Sequence, residues 1–258
     1  MARRVLVLSL LVAVPGTGCK DSSGPDDDDD GSYLLAAGGG LSLLYRVGLE
    51  ATSTDSVIGA ITTSVGVNLA ITDLALTRNG RLWGVTFTEL YRIDPNTAIA
   101  TRIGGLGVTD MNALTIAPDG RLLGAGASGN LAVIDTVTGR ATLIGNYGNV
   151  QLSGGDLAFA PDGRLFATTF GTLAGDRLAV VNPATGVATP VGTTIGFTNV
   201  WGLAFVENVL YALTWGANVN ATSGVLLRID TNTGVGTQIR SLTFKAYGTA
   251  RPPVRSVH

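Results

Sequence analysis

Side chains able to do chemistry recur at one point of a repeating pattern. Asp73, Asn112, Asp156 and Trp201 each stand at or just before a short apolar run, and Tyr247 holds the matching place near the C-terminus. A ring of oxygen-bearing side chains could hold a cation, or could be satisfied around ordered water. The offsets argue against a regular cage. Asp73 and Asp156 share a column, Asn112 is displaced by one, and Ala113 and Gly202 take the aspartate column in other units. A second group, Asn199, Trp201, Trp215, Asn218 and Asn220, sets flat aromatic faces beside amides. That combination suits a sugar or an aromatic ligand, and tryptophan is favoured at interfaces. The same tryptophans could instead cap the core of the last repeat. Asn220-Ala221-Thr222 also matches the short glycosylation tripeptide.

Catalytic sets are sparse. The one histidine is His258 at the end of the sequence, which removes a Ser-His-Asp triad or a histidine metal site from the repeats. Glutamates are confined to Glu50, Glu89 and Glu207. Asp73 and Asp156 could still form a carboxylate pair of the kind that hydrolyses glycans. No Gly-rich phosphate loop and no redox cysteine pair is present, so no cofactor is expected.

The elements that must position these residues repeat about every 40 to 45 residues, marked by Asn79-Gly80, Asp119-Gly120, Asp162-Gly163 and the degenerate Glu207-Asn208. Each turn separates two apolar runs: DLAL and RLWGV, ALTI and RLLGA, DLAF and RLFAT, GLAF and VLYAL. Asn-Gly or Asp-Gly between such runs signals a hairpin, with a type I′ turn expected. A third run ends at Asp94, Asp135, Asn182 and Asp230, whose side chains are expected to bond backbone amides in the next turn. A fourth, more polar run follows: ATRIG, ATLIG, ATPVG and GTQIR. We label these strands a to d. Strands a to c are apolar or small on both sides, unlike the half-wet alternation of a sandwich. The gradient from apolar a to polar d predicts an all-β propeller, whose inner strands are covered on both faces by neighbouring blades.

The ends of the chain complete the count. Residues 33–37 (YLLAA), 43–47 (LLYRV) and 57–62 read as strands b, c and d of a blade without strand a. Residues 245–251 (KAYGTAR) can supply it, with Pro252-Pro253 at the a–b turn, giving five four-stranded blades over residues 32–251 and a tail at 252–258. Such closure removes two sheet edges that would otherwise invite aggregation. Short a–b and c–d turns share one end of the ring. The longer connections at 125–130, 146–155, 168–177 and 214–224 share the other, where binding residues concentrate on a rigid scaffold.

Ahead of the propeller, Arg3 and Arg4 precede an apolar run over residues 5–14. That run is shorter than the roughly 20 residues needed to span a bilayer, and it reads as a signal peptide over residues 1–18. Cys19, the single cysteine, follows directly. This arrangement resembles the lipidation site of bacterial lipoproteins, in which the cysteine carries acyl chains; the alternative is an ordinary cleaved signal with an incidental thiol. Residues 19–31 include five consecutive aspartates and read as a solvated tether. The whole chain has 17 basic and 19 acidic residues, and the tether holds most of the acidic excess. The near-neutral remainder has no basic stripe and argues against nucleic-acid binding.

FAPDGRLF, LYRIDPNT and ATLIG resemble the repeats of bacterial propellers in the broad YVTN, NHL and quinoprotein-like group. The resemblance implies architecture, because these motifs are turn and core residues. Its members include extracytoplasmic binding proteins, scaffolds and some enzymes. The expected function is therefore an exported, lipid-anchored, monomeric binding or interaction module. Its partner would be an envelope protein or a small ligand such as a glycan. Lys20, in place of an aspartate after the cysteine, favours the outer membrane by resemblance to lipoprotein sorting. The alternatives are a glycan hydrolase or lyase using Asp73 and Asp156, and a structural envelope component.

Overall fold

A computed structural model describes residues 33–40, 42–148, 152–172, 174–216 and 221–252. Cys19, the leader, the acidic tether, Asn218, Asn220 and Pro253 lie outside these residues.

Strands β1 (Tyr33–Gly38), β2 (Leu43–Gly48) and β3 (Asp55–Ala60) are followed by a short β4 (Thr62–Thr63). The second blade holds β5 (Asp73–Leu76), β6 (Leu82–Val85), β7 (Glu89–Ile93) and β8 (Ile99–Gly105). The third holds β9 (Met111–Ile116), β10 (Leu122–Gly126), β11 (Asn130–Ile134) and β12 (Ala141–Asn146). The fourth holds β13 (Ser153–Phe159), β14 (Leu165–Thr172), β15 (Gly175–Val181) and β16 (Ala188–Val191). The fifth holds β17 (Val200–Val206), β18 (Val209–Thr214), β19 (Val225–Ile229) and β20 (Gly236–Ser241). Finally β21 (Ala246–Ala250) pairs antiparallel with β1, so the first blade has the order β21-β1-β2-β3. The molecule is a five-bladed β-propeller closed by strands from both ends of the chain. Strand d of the first blade stops at Ala60; Thr62 and Thr63 then pair in parallel with Ile99 and Ala100 and cover the outer edge of the second blade.

Five apolar clusters hold the ring, one in each gap between blades. Leu157, Leu165 and Ala167 of the fourth blade pack with Ala113, Ala125 and Leu131 of the third. Their chain neighbours Ala158 and Phe166 pack with Leu203, Leu210 and Ala212 of the fifth. Alternate side chains of one strand therefore bury against opposite neighbours, which is why strands a to c are apolar on both faces. At the closure, Tyr45 stacks on Phe244 with ring centroids 3.6 Å apart. Arg240 beside it pairs with Asp55 at 2.5 Å, and Asp55 also accepts from the Thr243 amide at 2.9 Å.

The a–b turns differ from the expected type I′. Thr77, Ala117 and Ala160 donate to the carbonyls of Arg81, Arg121 and Arg164, and only Gly80, Gly120 and Gly163 have positive φ. Each is a three-residue loop, a type I turn followed by a left-handed glycine. Pro118 and Pro161 occupy the position where proline pre-sets φ for a type I turn. In the c–d turns, Oδ1 of Asp94, Asp135, Asn182 and Asp230 accepts the backbone N–H two residues on at 2.7–2.9 Å.

Candidate functional site

The innermost strands β21, β5, β9, β13 and β17 surround a central channel. Each has one ladder partner, strand b, so its other edge presents backbone amides to the channel. A buried N–H without an acceptor is costly. Two aspartates meet that need for all five blades. Asp73 Oδ1 accepts from Leu74 at 2.7 Å and from Thr249 at 3.2 Å, and its Oδ2 accepts from Leu114 at 2.5 Å. Asp156 Oδ1 accepts from Leu157 at 2.6 Å, and its Oδ2 from Leu203 at 2.5 Å. Leu74, Leu114, Leu157, Leu203 and Thr249 are the equivalent residue of each blade, facing Gly84, Gly124, Ala167, Ala212 and Ala36 in the strand-b ladders.

The two carboxyl groups also hydrogen-bond to each other, and both side chains are fully buried. Burial, then the neighbouring carboxylate, pushes Asp73 well above the ordinary value of 3.8. Burial also raises Asp156, against the pull of its hydrogen bonds to Asp73 and to backbone amides. The pair therefore holds a proton at a pH where an exposed aspartate has lost it. The other blades place Ala113, Gly202 and Gly248 in this column because the two carboxyls fill the space. A Cβ on Gly248 would lie 2.2 Å from Asp73 Oδ1 and 2.5 Å from its Cα.

One residue earlier on each strand is a second tier: Thr72, Asn112, Gly155, Trp201 and Tyr247. These five line a cavity of about 620 Å³ at the end of the ring that carries the b–c and d–a connections. Leu69, Ile71, Phe87 and Phe170 complete its apolar wall. The Trp201 and Tyr247 rings lie 6.2 Å apart and nearly parallel, at 17°. Gly155 (φ 138°) lets the backbone approach Trp201; a Cβ there would sit 3.2 Å from its Cα, Cβ and Cδ1. Phe87 and Phe170 remain half exposed, at 50% and 45%. On the far side of the aspartates a cavity of about 600 Å³ opens toward the a–b turns, with Arg78 and Arg251 in its lining.

Of the residues singled out from the sequence, Asn112, Trp201 and Tyr247 come together in the cavity wall. Asp73 and Asp156 lie beneath, in the closed belt, where their oxygens serve backbone amides. Trp215 backs Trp201 at 5.4 Å and carries the Lys245 ammonium 3.8 Å over its ring. Asn199 ties the loop, donating from Nδ2 to the Gly216 carbonyl at 3.0 Å. Among the described residues, no cluster of three or more His, Cys, Asp or Glu side chains could hold a metal ion. Sequence reasoning missed Phe87 and Phe170, single aromatic residues in loops without periodic context. It also missed Asp176, which is buried and positions the start of β17 by accepting from the Val200 amide at 2.8 Å. Burial raises the Asp176 carboxyl above its ordinary value.

The family described as a repeat of unknown function, DUF6923, matches residues 13–144. The chain belongs to this repeat family. The DUF6923 match covers strands β1 to β11 and most of β12, and the later blades continue the same turn and core motifs. No curated protein sequence matches the chain. Among solved structures it is similar to a symmetrical protein whose de novo evolutionary emergence is described as shaped by folding constraints. That likeness has 18% identity and a TM-score of 0.56, and it covers 85% of this chain and 98% of that one. A protein of unknown function from Bacteroides thetaiotaomicron has 14% identity and a TM-score of 0.56, covering 81% of this chain and 55% of that one. The nidogen/laminin complex matches with 12% identity and a TM-score of 0.51, covering 84% of each chain. At these identities the likenesses speak for the β-propeller fold alone.

Proposed function

We propose that this propeller is an extracytoplasmic binding module, anchored through a lipid on Cys19, whose ligand or partner enters the cavity bordered by Trp201 and Tyr247. The cavity itself carries the reading: about 620 Å³ of largely apolar space on the loop end of a rigid ring, with Phe87 and Phe170 half exposed at its border. Pockets of this size and lining are where small molecules bind. The position of the chain ends supports an anchored arrangement. Tyr33 opens strand b and Arg251 follows strand a of the first blade, so both lie at the end of the ring opposite the cavity. A tether leaving Tyr33 would hold the cavity away from the membrane surface. The outer membrane, by way of Lys20, and a monomeric state remain part of the proposal.

The hydrolase or lyase reading draws less support. Asp73 and Asp156 hydrogen-bond to each other, closer than the roughly 5 Å or more that separates glycosidase carboxyl pairs. No side-chain surface of either is open to a substrate.

The test is to isolate the full chain from its native envelope and measure what stays bound by native mass spectrometry. Phe87→Ala and Trp201→Ala should lose the bound species, and Cys19→Ser should move the protein out of the membrane fraction. Equal retention in both cavity variants would point to the structural-component reading. A Cys19→Ser protein still in the membrane fraction would remove the anchor.

A further inference from the structure

The cavity wall is selective in what it offers. Among the described residues, no lining side chain is charged. Two of its polar side chains are already engaged. Ser42 Oγ accepts from the Ile71 amide at 3.2 Å. Thr72 Oγ1 lies 3.1 Å and 3.0 Å from the Val85 and Met111 carbonyls, between which its single O–H is shared. Asn112 Oδ1 is different: it is buried and has no hydrogen-bond partner among the described residues. An acceptor of this kind costs stability unless something donates to it. Opposite Asn112 in the ring stand the near-parallel Trp201 and Tyr247 rings, a surface suited to another flat apolar face.

These features discriminate between ligand classes. A sugar ring carries a hydroxyl on most of its carbons, and each one buried without a partner weakens binding. The side chains left to meet them, beside the engaged Ser42 and Thr72, are Asn68, Asn112 and the polar tips of Trp201 and Tyr247, too few for a whole sugar ring, so most of the hydroxyls would stay unpaired. An anion or cation would enter with no countercharge in the lining. Apolar surface, by contrast, gains wherever it meets Leu69, Ile71, Phe87 or Phe170.

We infer that the cavity binds an uncharged, mainly apolar small molecule with a flat ring system and a single hydrogen-bond donor, its ring against Trp201 and Tyr247 and its donor on Asn112 Oδ1. This inference rests on the reading of the cavity as the binding site and narrows it to one chemistry.

N-phenyl-1-naphthylamine has this composition: fused and single aromatic rings joined through one N–H. Its 8-sulfonate derivative adds a charged sulfonate group beside the N–H, and 1-phenoxynaphthalene replaces the N–H by an ether oxygen. The full chain is titrated with the amine and followed by probe fluorescence, with the other two compounds and methyl glucoside as competitors. The amine should bind at one saturable site, about tenfold or more tighter than the sulfonate or the glucoside. Phe87→Ala and Phe170→Ala should each weaken it several-fold while thermal melting stays unchanged. Asn112→Ala should abolish the preference for the amine over the ether.

A sulfonate that binds as well as the amine, or a glucoside that displaces it, overturns the ligand class. So does an amine–ether preference that survives Asn112→Ala. If those other ligands lose binding in Phe87→Ala, the cavity stands as the binding site although the class is wrong. Binding of the amine that is indifferent to Phe87, Phe170 and Asn112 overturns both.

Discussion

Thr72, Asn112, Gly155, Trp201 and Tyr247 each precede by one residue Asp73, Ala113, Asp156, Gly202 and Gly248, yet the two tiers are chemical opposites. The lower tier is small except for two carboxyls, fully buried, and saturated with backbone amides. The upper tier is varied, bordered by half-exposed aromatic rings, and holds an unpartnered acceptor. A ring of repeats needs the lower tier to be closed in every blade, because each blade brings one amide to the axis. It makes no such demand one residue higher. Charge near the channel therefore marks scaffold in this molecule, and the place free to specialise is the neutral ring above it.

The largest effect that could break this contrast is removal of both carboxyls. Asp73→Ala with Asp156→Ala strips five amides of their acceptors, at about 1–3 kcal/mol each. That sum reaches the whole stability of a typical domain, about 5–15 kcal/mol. No cooperative urea transition is expected for the double variant, and a loss of about 2 kcal/mol or more for Asp156→Ala alone, which strips two amides. A single variant as stable as the parent would return Asp156 to the list of ligand-binding groups.

Next in size is deletion of residues 245–258. It removes Thr249 from the lower tier and Tyr247 from the upper, so melting temperature and probe binding should fall together. A truncated chain that melts unchanged would break the closure itself.

A smaller effect is expected from pH. The folded-state values of Asp73 and Asp156 lie above the unfolded value of 3.8, so the folded pair keeps a proton that the unfolded chain releases. Its contribution is fully present below that value and is lost as pH rises through the raised folded value. Asp119, Asp135, Asp162 and Asp230, held low by backbone hydrogen bonds, act in the opposite sense. The pair is thus read as a difference. Asp73→Asn, which cannot titrate, should be less stable than the parent by a margin that narrows as pH rises in urea melts. A constant margin would mean that no proton is shared.

The smallest stability effect belongs to the upper tier. Phe87→Ala should change stability by no more than about 0.5 kcal/mol, while weakening probe binding several-fold. A large stability loss there would erase the distinction between the tiers.

The architecture was legible in the sequence because its signals are local and repeated. Asp119-Gly120 and Asp162-Gly163 mark the same turn, and KAYGTAR completes the blade begun by YLLAA. The type I′ expectation failed because the dipeptide alone hides the role of Pro118 and Pro161 before it. The belt was not legible. Asp73 and Asp156 stand out in their column, but their acceptor duty depends on amides from five strands that meet only when the ring has formed. The same holds for Asp55 and Arg240, which pair across the closure from opposite ends of the repeats. Asn112, Trp201 and Tyr247 were placed at the mouth by repeat alignment alone. Phe87 and Phe170 carry no such mark, since a lone phenylalanine in a loop has no period.

The composite first blade also imposes an order of events. Its inner strand, Ala246–Ala250, is the last described strand to be synthesised, and it pairs with the first. It brings Thr249 to the axis and fills the gap between Asp73 and the fifth blade. Until then the growing polypeptide has local hairpins but no closed ring, and its most demanding contacts join residues far apart in sequence, which form slowly. If the chain is exported as we propose, a latch made last would keep the translocating polypeptide open until its final strand had passed.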